Sequence, residues 1–146
     1  MTLIDRPVKN QSARPPGAIV DAIIIHDTGS LNAAGTFSWF DHAASQASAH
    51  YLIDRDGSAY RLVPDARKAW HAGSSSLWGR ADLNLTSIGI ELVDVSADPY
   101  PMAQMGSLIA LTVELCIRHK AIALNRIVGH DHIAPGRKVD PGADFP

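Results

Sequence analysis

The chain has 146 residues, a net charge of −2, 46% hydrophobic and 19% charged residues, and one cysteine. That length suits a single domain with one core. The charge excludes the basic stripe of a nucleic-acid binder, and the lone Cys116 excludes an intrachain disulfide, so nothing requires an oxidising compartment. No stretch approaches the roughly 20 apolar residues of a membrane span, and the opening MTLIDRPVKN lacks the apolar run of an export signal. Cytoplasmic synthesis without a signal peptide and no membrane insertion are therefore expected.

Residues 1–18 read as an irregular arm with a turn at RPPG. VDAIIIH (residues 20–26) is a short β-branched run and predicts a buried strand ending at His26. TFSWFDHAA (36–44) has apolar residues at near-helical spacing and predicts a short helix. AHYLIDRDGSAYRLV (49–63) predicts a hairpin turning at Arg-Asp-Gly. A further short strand is expected over 68–71, then a Gly-, Ser- and Asn-rich loop over 72–86, then a strand over 87–95. Asp98-Pro-Tyr-Pro interrupts the chain before a helix over 102–120. Its Met105, Leu108, Ile109, Thr112, Leu115 and Cys116 fall at three- and four-residue steps, which predicts one buried face. A last strand over 126–128 leads into VGHDHIAPGRKVDPG (128–142), where Pro135, Pro141 and three glycines predict a loop and no regular helix. There is no internal repeat. The mixture predicts an α/β domain with a central, mostly mixed β-sheet flanked by helices.

The chemistry-bearing residues collect at strand ends and on that last loop. A catalytic zinc takes three protein ligands and leaves a position for water. His26 ends an apolar strand, and His130 and Asp140 stand ten residues apart on a loop that can curl back. Two imidazoles and a carboxylate suit zinc, yet each alone fits a structural role equally well. Glu91 lies inside IGIEL, where burying a carboxylate is costly unless it is paired or used. Beside a metal it could serve as general base and then general acid; a structural salt bridge is the other reading.

Four blocks together resemble the zinc-dependent type-2 N-acetylmuramoyl-L-alanine amidase family, which includes phage lysozymes of the T7 type, a bacterial muropeptide-recycling amidase and the animal peptidoglycan-recognition proteins. The blocks are IIIHDTGS (23–30), SAHYLIDRDG (48–57), AWHAGSS with NLTSIGIEL (69–75 and 84–92), and GHDHIAPGRKVDPG (129–142), in the family's order. The resemblance implies a single catalytic domain over residues 1–146 with a zinc cleft at strand ends. It implies His26, His130 and Asp140 as zinc ligands, Glu91 as the catalytic carboxylate and Lys138 as a cation that stabilises the oxyanion. The substrate implied is peptidoglycan or a muropeptide, cut between the lactyl group of N-acetylmuramic acid and L-alanine. Where the T7-type branch carries a tyrosine this chain has Ala49, which leaves the proton transfer to Glu91. His132 replaces the usual acidic residue before Ile-Ala-Pro and is open to two readings, a partner to the ligands or an exposed loop residue.

Trp70 and His71 are expected to line the substrate cleft, with plain packing as the alternative. Arg80 and Asn84 are candidates to contact the stem peptide. His50 either supports a ligand or fills the core. His42 and His119 read as surface residues and Cys116 as inert core. The connection between HDTGS and SAHYLID is short, whereas the recycling enzyme carries an insertion there. The main expectation is therefore a phage or prophage endolysin, monomeric, without a separate wall-binding domain, released by a holin. The alternatives are a cytoplasmic recycling amidase with the same chemistry and a peptidoglycan-binding module that does not cut.

Overall fold

Two runs, AIIIHD and SIGIEL, are buried along almost their whole length. Strands apolar on both faces belong inside a covered parallel sheet, and that is where they lie. In the computed structural model, which describes residues 2–94 and 99–146, the chain forms β1 (Leu3–Asp5), β2 (Gln11–Ala13), β3 (Ala22–Asp27), α1 (Ala33–Asp41), β4 (Tyr51–Ile53), β5 (Ala59–Arg61) and β6 (Arg67–Ala69). It continues through β7 (Ser76–Leu77), β8 (Arg80–Ala81), β9 (Ser87–Leu92), α2 (Met102–Arg118), β10 (Ile127–Gly129) and α3 (His130–Ile133). Six strands make one mixed sheet in the order β1-β5-β4-β9-β3-β10. Strands β4, β9, β3 and β10 run parallel, and β5 turns back antiparallel to β4.

Alternation across the pleat divides the sheet's two faces. Ile23, Ile25, Ile88, Ile90, Leu92, Tyr51 and Ile53 share a core with Leu108, Leu111 and Leu115 of α2. On the opposite face, the register pairs His26 with Glu91 and Ile24 with Gly89, and Leu52 pairs with Glu91 from the other side. Helix α1 and the segment over residues 70–85 cover that face through two smaller apolar clusters. Asn32 caps α1 by accepting from the Gly35 N–H at 3.0 Å.

Several boundaries depart from expectation. The N-terminal segment is not irregular: β1 pairs with β5, and β2 pairs with β6. Arg14 then ties it down, donating to the carbonyls of Asp65, Asn84, Leu85 and Ser87 at 2.8–3.0 Å. The face of α2 turned inward is Gln104, Leu108, Leu111 and Leu115, while Ile109 is 63% exposed. Both sides of α2 are apolar, so spacing alone did not select the covered one. The loop over 72–86 holds the β7–β8 hairpin and a 3-10 turn, Leu83–Leu85. The last loop opens with one helical turn, α3, before its first proline. The strand expected over 87–95 ends at Leu92, short of Val93 and Asp94, while Val95, and Asp98 of the break before α2, lie outside the described residues.

Candidate metal centre and active site

Parallel sheets place functional side chains at the carboxyl ends of their strands. Here β3 delivers His26, β9 delivers Glu91, and β10 passes directly into His130. Asp140 returns to the same edge because the Asp131 N–H donates to the Asp140 carbonyl at 3.0 Å, closing the loop. Gly129 permits that closure. A Cβ there would meet Asp131 Oδ1 at 2.5 Å and Pro141 Cδ at 2.7 Å. The Tyr100 hydroxyl donates to the Pro141 carbonyl at 2.7 Å and anchors the loop's far side.

The result is a small triangle of candidate ligand atoms. His26 Nδ1 and His130 Nδ1 are 2.9 Å apart, and Asp140 Oδ2 lies 3.1 Å from the first and 2.9 Å from the second. A tetrahedral zinc with bonds of about 2.0–2.1 Å has ligand-to-ligand edges of about 3.3–3.4 Å, so a small outward adjustment of the three atoms seats the ion. The His130 Nε2–H donates to the Ala72 carbonyl at 3.1 Å, which leaves Nδ1 unprotonated toward the triangle. The two rings are 2–3% exposed and the carboxylate 13%. Burial lowers the pKa of His26 to about 4, the nearby Asp140 carboxylate opposing it, so the ring is neutral and competent as a ligand. The residues present therefore fit a divalent cation of zinc's preferences.

Glu91 faces the triangle from the neighbouring strand. Its Oε2 is shut from solvent and has no hydrogen-bond partner. Burial raises its pKa well above the ordinary value, the charges of Asp140 and Asp27 add to this, and Lys138 opposes it. Glu91, Lys138 and the three ligands line one cavity of about 320 Å³. A buried carboxyl with enhanced proton affinity beside a cation-binding group can take a proton and return it.

The other sequence candidates divide. Trp70 lines the cavity and its indole N–H donates to Ser12 Oγ at 3.1 Å. His71 also borders it but is enclosed, with Nδ1 3.0 Å from His26 Nε2, so it lies beneath His26 rather than on the cleft surface. Asn84 is buried and accepts from the N–H groups of His71 and Ala72 at 3.0 and 2.8 Å; it shapes the AWHAG segment from behind. Arg80 pairs with Asp21 at 2.9 Å and is absent from the cavity lining. His50 is core: its Nδ1 accepts from the Gly89 N–H at 3.0 Å. His132 is exposed and pairs with Asp131. His42 is exposed, whereas His119 pairs with Asp65 at 2.8 Å and is only partly exposed. Cys116 packs at the margin of the α2 core. Sequence reasoning missed the part of the cavity wall where α1 contributes Thr36, Phe40 and the 57% exposed Trp39. The signal was present, since steps of three and four residues put these three on one helical face.

Three buried side chains that could hold a cation, facing a buried carboxyl at the carboxyl ends of parallel strands, form an arrangement suited to metal-dependent hydrolysis. Residues 15–143 match the family model described as N-acetylmuramoyl-L-alanine amidase, and the chain belongs to that family. It is 44% identical over 137 residues to 1,6-anhydro-N-acetylmuramyl-L-alanine amidase AmpD of Citrobacter freundii, covering 90% of this chain and 70% of that protein. It is 40% identical over 117 residues to N-acetylmuramoyl-L-alanine amidase AmiD of Escherichia coli, covering 69% of this chain and 42% of that one. Among solved structures, a selenomethionine AmpD superposes with a TM-score of 0.83 at 36% identity, over 99% of this chain and 89% of that one. The Escherichia coli AmiD complex with the substrate anhydro-N-acetylmuramic acid-L-Ala-D-gamma-Glu-L-Lys gives a TM-score of 0.81 at 32% identity, over 91% of this chain and 57% of that one. These likenesses to AmpD weigh against the expected endolysin and toward the recycling alternative.

Proposed function

We propose that this protein is a zinc-dependent amidase that cleaves soluble anhydro-muropeptides between the N-acetylmuramic acid lactyl group and L-alanine. The chemistry is supported chiefly by the unpartnered Glu91 Oε2 beside the His26, His130 and Asp140 atoms. The substrate class is supported by the likeness to AmpD, whose name specifies the 1,6-anhydro sugar.

His26, His130 and Asp140 would hold the ion. When bound, zinc supplies Lewis-acid polarisation of the amide carbonyl and acidifies water. Glu91 accepts a proton from the attacking water at its carboxylate, and water oxygen bonds to the carbonyl carbon. The Lys138 cation offsets the charge that develops on the carbonyl oxygen. Glu91 then gives its proton to the departing nitrogen as the C–N bond breaks, releasing a lactyl carboxylate and a free L-alanine amine. Trp70 and the α1 wall, Trp39 included, would hold the sugar and stem from two sides.

The test is product analysis with zinc-loaded protein on anhydro-muropeptides and on intact sacculi, with Glu91→Gln alongside. The soluble substrate should release peptides with a new L-alanine amino terminus at least about tenfold faster than the wall does. Glu91→Gln should retain zinc and lose about 10²–10⁴ in kcat. Equal action on sacculi would sink the recycling assignment and restore a lytic one. Zinc binding without cleavage of either substrate would leave a recognition module.

A further inference from the structure

Beneath the metal triangle a chain of hydrogen bonds runs inward from His26. His26 Nε2 is 3.0 Å from His71 Nδ1, His71 Nε2 is 3.2 Å from Ser87 Oγ, and Ser87 Oγ is 2.6 Å from the Leu83 carbonyl oxygen. All three side chains are buried. The direction of every bond follows from the last. A carbonyl oxygen only accepts, so the single Ser87 hydroxyl proton is spent on Leu83. Ser87 Oγ must then accept from His71, which places the proton of a neutral His71 on Nε2. His71 Nδ1 is left as an acceptor and takes the His26 Nε2–H. His26 Nδ1 thus carries a lone pair toward His130 and Asp140.

The fold provides for this arrangement at two further points. Gly89, paired with Ile24 in the sheet centre, leaves room for the His71 ring; a Cβ there would lie 2.4 Å from His71 Cγ. Asn84 Oδ1 holds the His71 backbone N–H at 3.0 Å. His130 has the equivalent support in a single step, from the Ala72 carbonyl.

We propose that His71 is a positioning residue for the metal centre: with Ser87 and the Leu83 carbonyl it fixes the Nε2–H tautomer and ring angle of His26, so that Nδ1 is presented to the ion. Nothing in this role requires His71 to touch substrate. The inference rests on the metal reading of the site, and the experiment separates the two.

Zinc affinity is measured by chelator competition for wild type, His71→Leu, His71→Asn and Ser87→Ala. Leu fills the slot without an acceptor, and Asn places Oδ1 near the position of Nδ1. Loss of such a partner should weaken zinc binding about 10–100-fold in His71→Leu, and His71→Asn should recover most of that loss. Ser87→Ala, which frees the His71 tautomer, should fall between them. Equal affinity in His71→Leu and wild type overturns the proposal, as does an Asn variant no better than Leu. Because a variant may fold poorly, long-range ¹H–¹⁵N correlations on the wild type read the tautomer directly. A His26 protonated on Nε2 supports the relay, and one protonated on Nδ1 overturns it. If wild type binds no zinc, the metal reading fails, and the NMR result still decides the hydrogen-bond chain.

Discussion

His50 illustrates how the site's buried imidazoles bear on stability. Its Nδ1 accepts from Gly89, so its Nε2–H donates to the Arg67 carbonyl at 3.1 Å. Burial lowers its pKa to about 3, and the neighbouring Arg14 charge adds to the effect. His26 is lowered to about 4, and His71 well below its ordinary value, in both cases mainly by burial. The folded state thus refuses protons that the unfolded chain accepts near pH 6.5. Stability from these rings is complete above that pH and is lost as pH falls toward 4. Glu91, with a raised pKa, works in the opposite sense and removes part of the slope. Each net proton is worth about 1.4 kcal/mol per pH unit, so the metal-free protein should lose on the order of 1–3 kcal/mol per unit between pH 6.5 and 4.5. Urea unfolding across that range measures it; a flat profile would mean that these imidazoles are not held neutral.

At the scale of elements, α2 makes the sharpest distinction. Leu111 is fully enclosed against the sheet, and Ile109, two residues earlier, is 63% exposed. Leu111→Ala should cost about 2–5 kcal/mol, and Ile109→Ala less than about 0.5 kcal/mol; denaturant midpoints for the pair check this, and similar losses would place the covered face elsewhere. The sequence pattern foresaw α2 and its length but not its rotation, because periodicity cannot choose between two apolar sides. Strands β3 and β9 and the β4–β5 hairpin were legible for a firmer reason: each is an uninterrupted apolar run or carries its own turn residues. β1 and β2 were not. They are three residues each, and their strand character comes from partners more than 50 residues away. The same limit applied to the site. His26, His130, Asp140 and Glu91 could be named from motif and resemblance, whereas the position of His71 depends on register and on the slot at Gly89, neither of which is local.

At the scale of the whole molecule, the outermost strand has an unusual responsibility. β10 pairs on one side only, through three residue pairs to β3, yet the segment that follows it carries two of the three candidate ligand side chains, His130 and Asp140. The third sits on β3, near the sheet's centre. A bound ion would therefore join an edge of the sheet to its interior, and mass action would stabilise the joined form by about 4 kcal/mol at a thousandfold excess over Kd. The segment so held contains Arg137 and Lys138, both sites for trypsin. Limited trypsin digestion should cut there at least about tenfold more slowly with zinc than with a chelator, and His26→Ala should abolish the difference; metal-independent cutting would show that the strand is secured without the ion. In a cell, metal-starved copies would then be removed by proteases ahead of loaded ones, so the protein's abundance, and not only its rate, would follow the metal supply.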